Sequence, residues 1–91
     1  MSYDLIFTDA YEKRAKNFFK YHPDLLNLYE KILYLISSNP SHPSLRLHKL
    51  KGPLQHMHSV SINMQYRITI EFFIKKNQII FIDIGSHNQV Y

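Results

Sequence analysis

Hydrophobic and polar residues alternate through residues 59–74, SVSINMQYRITIEFFI. Val60, Ile62, Ile68, Ile70, Phe72 and Ile74 share one side, and Ser59, Ser61, Asn63, Arg67, Thr69 and Glu71 share the other. A period of two marks strands with one buried face. The alternation breaks at Met64-Gln65-Tyr66, which predicts a hairpin. A three-residue loop there pairs Asn63 with Arg67, Ser61 with Thr69 and Ile62 with Ile68, keeping the apolar side chains together. A second turn at Lys75-Lys76-Asn77 leads into a last strand over residues 78–84. Its expected register sets Phe72 opposite Ile80, Ile70 opposite Ile82 and Ile68 opposite Ile84. On the polar side Thr69 then meets Asp83 and Arg67 meets Gly85, beside Ser86-His87.

Upstream the period lengthens. Residues 3–7 form a short apolar stretch, a first strand. Thr8-Asp9 supplies cap oxygens, Glu12 falls in the first turn, and Tyr11, Ala15, Phe18 and Phe19 recur at helical spacing. Pro23 suits the first position of a second helix, whose buried stripe is Leu25, Leu28, Tyr29, Ile32, Leu35 and Ile36. Residues 45–51, LRLHKLK, read as a further strand, and residues 54–57 as irregular. The order β-α-α-β-β-β-β predicts an α+β fold. Two N-terminal helices cover one face of a twisted, mostly antiparallel four- to five-stranded sheet, and the other face holds the polar residues.

Length changes this picture little: 91 residues with 45% hydrophobic content suit a single domain over 1–91. With no cysteine there is no disulfide framework, thiolate metal site or thiol nucleophile. The N-terminus shows no signal peptide and no apolar run approaches a membrane span, so a cytoplasmic protein without membrane association is expected. The net charge of +4 is compatible with nucleic acid or an acidic protein partner, and equally with a merely basic soluble protein.

Candidate chemistry gathers around the polar face. His87, just past the last strand, suits a general acid or base near neutral pH, or simply an exposed strand end. Its nearness to Arg67 favours the first reading, because a cation there stabilises charge developing on a phosphate. Arg67 could otherwise pair with Glu71 or Asp83. In LHKLKG, His48 offers a second proton-transfer group, while Lys49 and Lys51 offer charge to a phosphate backbone or protect an edge strand from aggregation. Ser61 and Asn63 lie on the same polar side as candidate substrate contacts. His56 and His58 form an H-x-H, half of a zinc site, but no third ligand has a completing spacing. His58 shares parity with Val60 and reads as a core-edge histidine, so no metal is expected. Tyr91 offers a ring for stacking on a base, or is a frayed end.

LHKLKG, SVSINMQYRITIEF and IDIGSHNQVY together resemble the RelE/ParE toxin superfamily, on the side of the RelE-, YafQ- and HigB-like ribonucleases. The resemblance covers nearly the whole chain, and its most specific piece is the ending I-G-S-H-x-x-V-Y. It implies the toxin of a type II toxin–antitoxin system. Such a toxin is a ribosome-dependent mRNA endoribonuclease that cuts by attack of the ribose 2′-hydroxyl and inhibits translation. It works without a cofactor, and an antitoxin protein holds it in a hetero-oligomer. Its partners are then that antitoxin and mRNA on the ribosome, with contacts to ribosomal RNA. Carried onto this chain, His48 and His87 form the proton-transfer pair, Lys51 and Arg67 hold the scissile phosphate, and Tyr91 stacks on a nucleotide. Ser61 and Gln65 stand where YafQ-like enzymes carry His and Asp, and Asn63 stands where HigB-like enzymes carry Arg, so this site holds less charge than theirs. Two alternatives remain: a ParE-like, gyrase-binding toxin without nuclease chemistry, and a non-catalytic antitoxin-binding module.

Overall fold

The computed structural model describes residues 2–86. Strand β1 (Asp4–Phe7) runs into helix α1 (Asp9–Tyr21), and helix α2 (Leu26–Ser38) follows. Four strands complete the chain: β2 (His48–Lys49), β3 (His58–Ser61), β4 (Tyr66–Phe73) and β5 (Gln78–Ser86). They form one five-stranded sheet in the order β1-β5-β4-β3-β2. Only the β1–β5 pair is parallel. The α+β arrangement expected from the pattern is the one observed.

Local chemistry sets the helix ends. Thr8 is extended, and its Oγ1 accepts from the Tyr11 backbone N–H at 3.1 Å, which caps α1. The same hydroxyl donates to the Phe81 carbonyl at 3.0 Å, so the cap also ties α1 to the inner strand β5. Asp9 and Glu12 complement the positive end of the helix and Lys20 its last turn. Pro23 does not begin α2; it opens a 3₁₀ turn, Pro23–Leu25, and the helix starts at Leu26. At the far end Ser37 Oγ donates to the Tyr3 carbonyl at 2.8 Å, fastening α2 to the entry of β1.

The core lies between the helices and the sheet. Tyr11 and Ala15 come from α1, Ile32 and Ile36 from α2, and Val60, Ile68, Ile70, Ile79, Phe81 and Ile84 from the strands. Each fully buried large side chain of this set contributes about 1.5–3 kcal/mol. The Tyr11 and Tyr29 hydroxyls bond to each other at 2.9 Å, and burial raises the pKa of both phenols. Leu28, expected in the buried stripe of α2, is 38% exposed, because it and Leu26 fall on the two rims of the stripe centred on Ile32 and Ile36. Ile74 is also exposed, since β4 ends at Phe73 and Ile74 opens a 3₁₀ turn.

Two strand registers differ from the expected ones. In the first hairpin Ser61 pairs with Arg67, Ser59 with Thr69 and Val60 with Ile68, a displacement of two residues. Asn63 causes it: its Oδ1 accepts from the backbone N–H of Gln65 and of Tyr66, both at 2.9 Å, and so closes the turn one residue early. Tyr66 is thereby released from the loop into β4, where its ring packs on Phe18 and His22. A shift of two preserves which face each side chain takes.

The second difference does change faces. From Tyr66 to Thr69 the β4–β5 register is the expected one, including Arg67 opposite Gly85 and Ile68 opposite Ile84. It then slips, so that Ile70 meets Phe81 and Phe72 meets Ile79, leaving Ile82 as the extra residue of a β-bulge. The buried residues are Ile79 and Phe81 in place of Ile80 and Ile82. Parallel pairing with β1 sets Phe7 beside Phe81, whose ring lies 4.7 Å from Phe7 and 5.2 Å from Tyr11. Filling that space with an aromatic ring outweighs continuous pairing. The strand expected over residues 45–51 contracts to β2, because Pro43–Leu45 form a 3₁₀ turn and Arg46 adopts a left-handed conformation with φ 49°.

His58 takes the core-edge place that its parity implies. Its ring meets Phe72 edge-on at 5.1 Å, and its Nδ1 is buried without a hydrogen-bond partner among the described residues. Desolvation, then the charge of Lys49 and the neighbouring His48, lowers its pKa. The unfolded chain therefore takes up this proton before the folded one does. Stability should be complete above about 6.5, the ordinary imidazole value, and should fall as pH drops below it, until the folded protein also protonates His58. Denaturant titrations between pH 7.5 and 5 should show a shallower loss for His58→Gln than for the wild type. Parallel curves would remove His58 as the cause.

Candidate functional site

The face of the sheet away from the helices carries a row of polar residues at matching heights. His48 pairs with Ser59, and Ser59 with Thr69. Directly paired residues project to the same side, so all three share a face with Arg67, two residues from Thr69 on β4. Arg67 is half-buried and reaches diagonally across the strands, its Nη1 donating to Ser59 Oγ at 3.3 Å. Ser59 and Thr69 are buried beneath this row. The strands thus bring His48 and Arg67 to either side of a single hydroxyl, about two strand spacings (~10 Å) apart in backbone terms.

Arg67 also faces Gly85, two residues before His87 in the chain. His87 and Tyr91 themselves lie outside the described residues. Asp83 pairs with Thr69 as expected, and beyond the stretch of β5 that β1 covers its carboxylate reaches Arg14 of α1 at 3.4 Å.

His48 is exposed at the outer strand, with Nδ1 3.3 Å from the Arg46 carbonyl. A carbonyl only accepts, so in the neutral ring the proton belongs on Nδ1 and the lone pair on Nε2. Lys49, next in sequence, pairs with His58 and so projects to the opposite side of the sheet from His48. Lys51 follows β2 as the exposed cap of a 3₁₀ turn, Gly52–Leu54, at the sheet's outer edge. Strand pairing sets His48 beside Ser59, the hydroxyl partner of Arg67, while Lys49 takes the opposite face and Lys51 follows the end of β2.

Ser61 and Asn63 serve the hairpin. Ser61 is buried and donates to the Asn63 carbonyl at 2.6 Å, while the Asn63 side chain closes the turn. Their polar atoms therefore shape the loop beside Arg67. Two residues went unnoticed in the pattern. Ser59 shares parity with Arg67, but the expected hairpin register set it opposite Glu71 and hid the contact. Arg46 lay inside a supposed strand; it adds an exposed cation whose guanidinium approaches the Met64 sulfur at 3.6 Å at the hairpin tip. Among the described residues, no three His, Asp or Glu side chains converge as metal ligands would.

No protein-family model matches the chain, and no curated protein matches it by sequence. Solved structures do match. YafQ from E. coli superposes with a TM-score of 0.81 at 14% identity, over 98% of each chain. A chain of the E. coli DinJ–YafQ toxin–antitoxin complex gives 0.80 at 17% identity, over 100% of this chain and 99% of that one. A chain of the YoeB–YefM complex from Staphylococcus aureus gives 0.73 at 20% identity, over 93% and 97%. Identity this low makes the likeness one of fold. Taken with the helix pair and the strand order, it gives the chain the fold seen in YafQ.

Proposed function

We propose that this protein is the toxin of a type II toxin–antitoxin pair and that it cleaves mRNA on the ribosome, in the cytoplasm. One observation supports this most: His48 and Arg67 flank the buried Ser59 hydroxyl on one sheet face, and Arg67 lies opposite Gly85, just ahead of His87. A cation together with two proton-transfer groups is what a phosphodiester transesterification needs. The ribose 2′-oxygen attacks the adjacent phosphorus, and His48 Nε2 takes the hydroxyl proton. The bond from phosphorus to the 5′-oxygen breaks, and that oxygen takes a proton from His87. The products are a 2′,3′-cyclic phosphate and a 5′-hydroxyl. Arg67 holds the non-bridging oxygens and offsets the charge that grows on them. Lys51 adds charge at the rim, and Tyr91 stacks on a neighbouring base. The nucleophile belongs to the substrate, so positioning supplies much of the acceleration.

The structural neighbours include toxins held by antitoxins, DinJ with YafQ and YefM with YoeB, which supports an antitoxin partner here. Controlled expression in cells, followed by mapping of new mRNA 5′ ends against reading frame, tests the reading. Codon-phased ends that vanish with Arg67→Ala are expected. DNA breaks without phased ends would replace it with gyrase inhibition.

A further inference from the structure

On the helical side of the sheet, a groove of about 550 Å³ runs between α1 and the end of β5. Arg14, Asn17, Tyr21, His22, Tyr66 and Ser86 are among its lining residues. We infer that this groove binds an unpaired RNA nucleotide flanking the bond cut at Arg67, an inference that rests on the nuclease reading above. The groove's volume lies within the ~300–1,000 Å³ common for small-molecule sites.

Its floor is an assembled aromatic platform. His22 stacks on Phe18 with centroids 4.5 Å apart and planes at 29°, and Tyr66 packs against His22 at 4.7 Å and against Phe18 at 5.0 Å. These rings are already ordered by packing, so a base that stacks there costs little additional side-chain entropy. Tyr21 stands at the rim, 69% exposed, with Lys20 Nζ 5.9 Å from its ring centre. Arg14, Asn17 and Tyr21 recur at three- and four-residue spacing and so share one stripe of α1. Asn17 offers an amide that both donates and accepts, as a base edge requires. Arg14, the exposed partner of the pair with half-buried Asp83, also lies 3.5 Å from the Ile82 carbonyl and can turn from these contacts to a phosphate. Lys13, Lys16 and Lys20, all exposed on the same helix, extend the positive field along a strand's path.

The groove and the polar face share the β4–β5 strand pair. β1 covers only Gln78–Phe81 of β5, so among the described residues no strand pairs with the outer edge from Ile82 onward. Tyr66 and Arg67 are consecutive on β4 and project to opposite faces, opposite Ser86 and Gly85 respectively. One RNA strand that passes the end of β5 therefore reaches both. A protein segment would meet the same charges, but an aromatic cluster with an amide beside it matches a base more closely than a peptide.

Fluorescence anisotropy with a labelled 2′-O-methyl RNA decamer, which lacks the nucleophile and stays intact, tests this. Tyr21→Ala should weaken binding about 5- to 100-fold, as loss of a stacking ring does, and Tyr21→Phe should restore it. Asn17→Ala should weaken binding with an unchanged melting temperature. Affinities within twofold of wild type for both alanine variants would overturn the inference, as would variants that lose only antitoxin capture. Arg67→Ala separates the two proposals: it should slow cleavage about 100-fold or more and leave Tyr21-dependent binding in place. Tyr21-dependent binding by a wild-type protein that cuts no RNA would support the groove and sink the nuclease reading.

Discussion

Arg67→Ala should slow mRNA cleavage about 100-fold or more, the loss typical when a preorganised donor to a developing oxyanion is removed. The fold should survive, because Arg67 projects from the sheet face away from the core, where its Nη1 donates to the Ser59 hydroxyl at 3.3 Å. Arg67→Lys should recover only part of the rate. A lysine keeps the charge but cannot present two parallel N–H groups to two phosphate oxygens. Ser59→Ala should cost less than Arg67→Ala, since it leaves the guanidinium in place and removes one group that aims it. Single-turnover cleavage on programmed ribosomes, with folding checked by circular dichroism, measures all three. If Arg67→Ala cuts at the wild-type rate, the polar face is not the site.

The two histidines should divide the pH dependence between them. A general base works only unprotonated, so His48 should govern the fall of activity on the acidic side. A general acid works only protonated, so His87 should govern the fall on the alkaline side. His48→Ala and His87→Ala should each cost about 100- to 10,000-fold and each should erase its own limb of the profile. A substrate whose 5′-oxygen is replaced by sulfur separates the roles, because a thiolate leaves without a proton. It should rescue His87→Ala and leave His48→Ala slow. Equal losses on both substrates would make His87 a positioning residue. Rescue of His48→Ala in its place would exchange the two assignments.

How much of this could be read along the chain depended on how far each feature reaches in space. Amphipathic periods are local, so the two helices, the hairpin and the face taken by Arg67 were legible from residues a few positions apart. The pairing of Arg67 with Gly85 was legible too, because only one register brings Ile68 and Ile84 together on the core side. The candidate site was half legible for the same reason. His48 and Arg67 could be named from their motifs, but their common neighbour Ser59 emerges only when the hairpin closes at Asn63.

What the tertiary structure alone decided is the set of choices between locally equivalent pairings. The alternation in IIFIDI suits Ile80 and Ile82 facing inward as well as it suits Ile79 and Phe81. Contact of Phe81 with Phe7 and Tyr11, from elements about seventy residues away, selects the second and places the bulge at Ile82. Tyr66, released from the turn by Asn63, finds a packed surface for its ring on Phe18 of α1 and on His22. The groove behind the sheet exists for the same reason, since β1 stops pairing at Phe81 and α1 lies over the uncovered strand. A period is a property of one segment and can be read from it. A register, a bulge and a groove are properties of contacts between segments, and they take shape only when the core is filled.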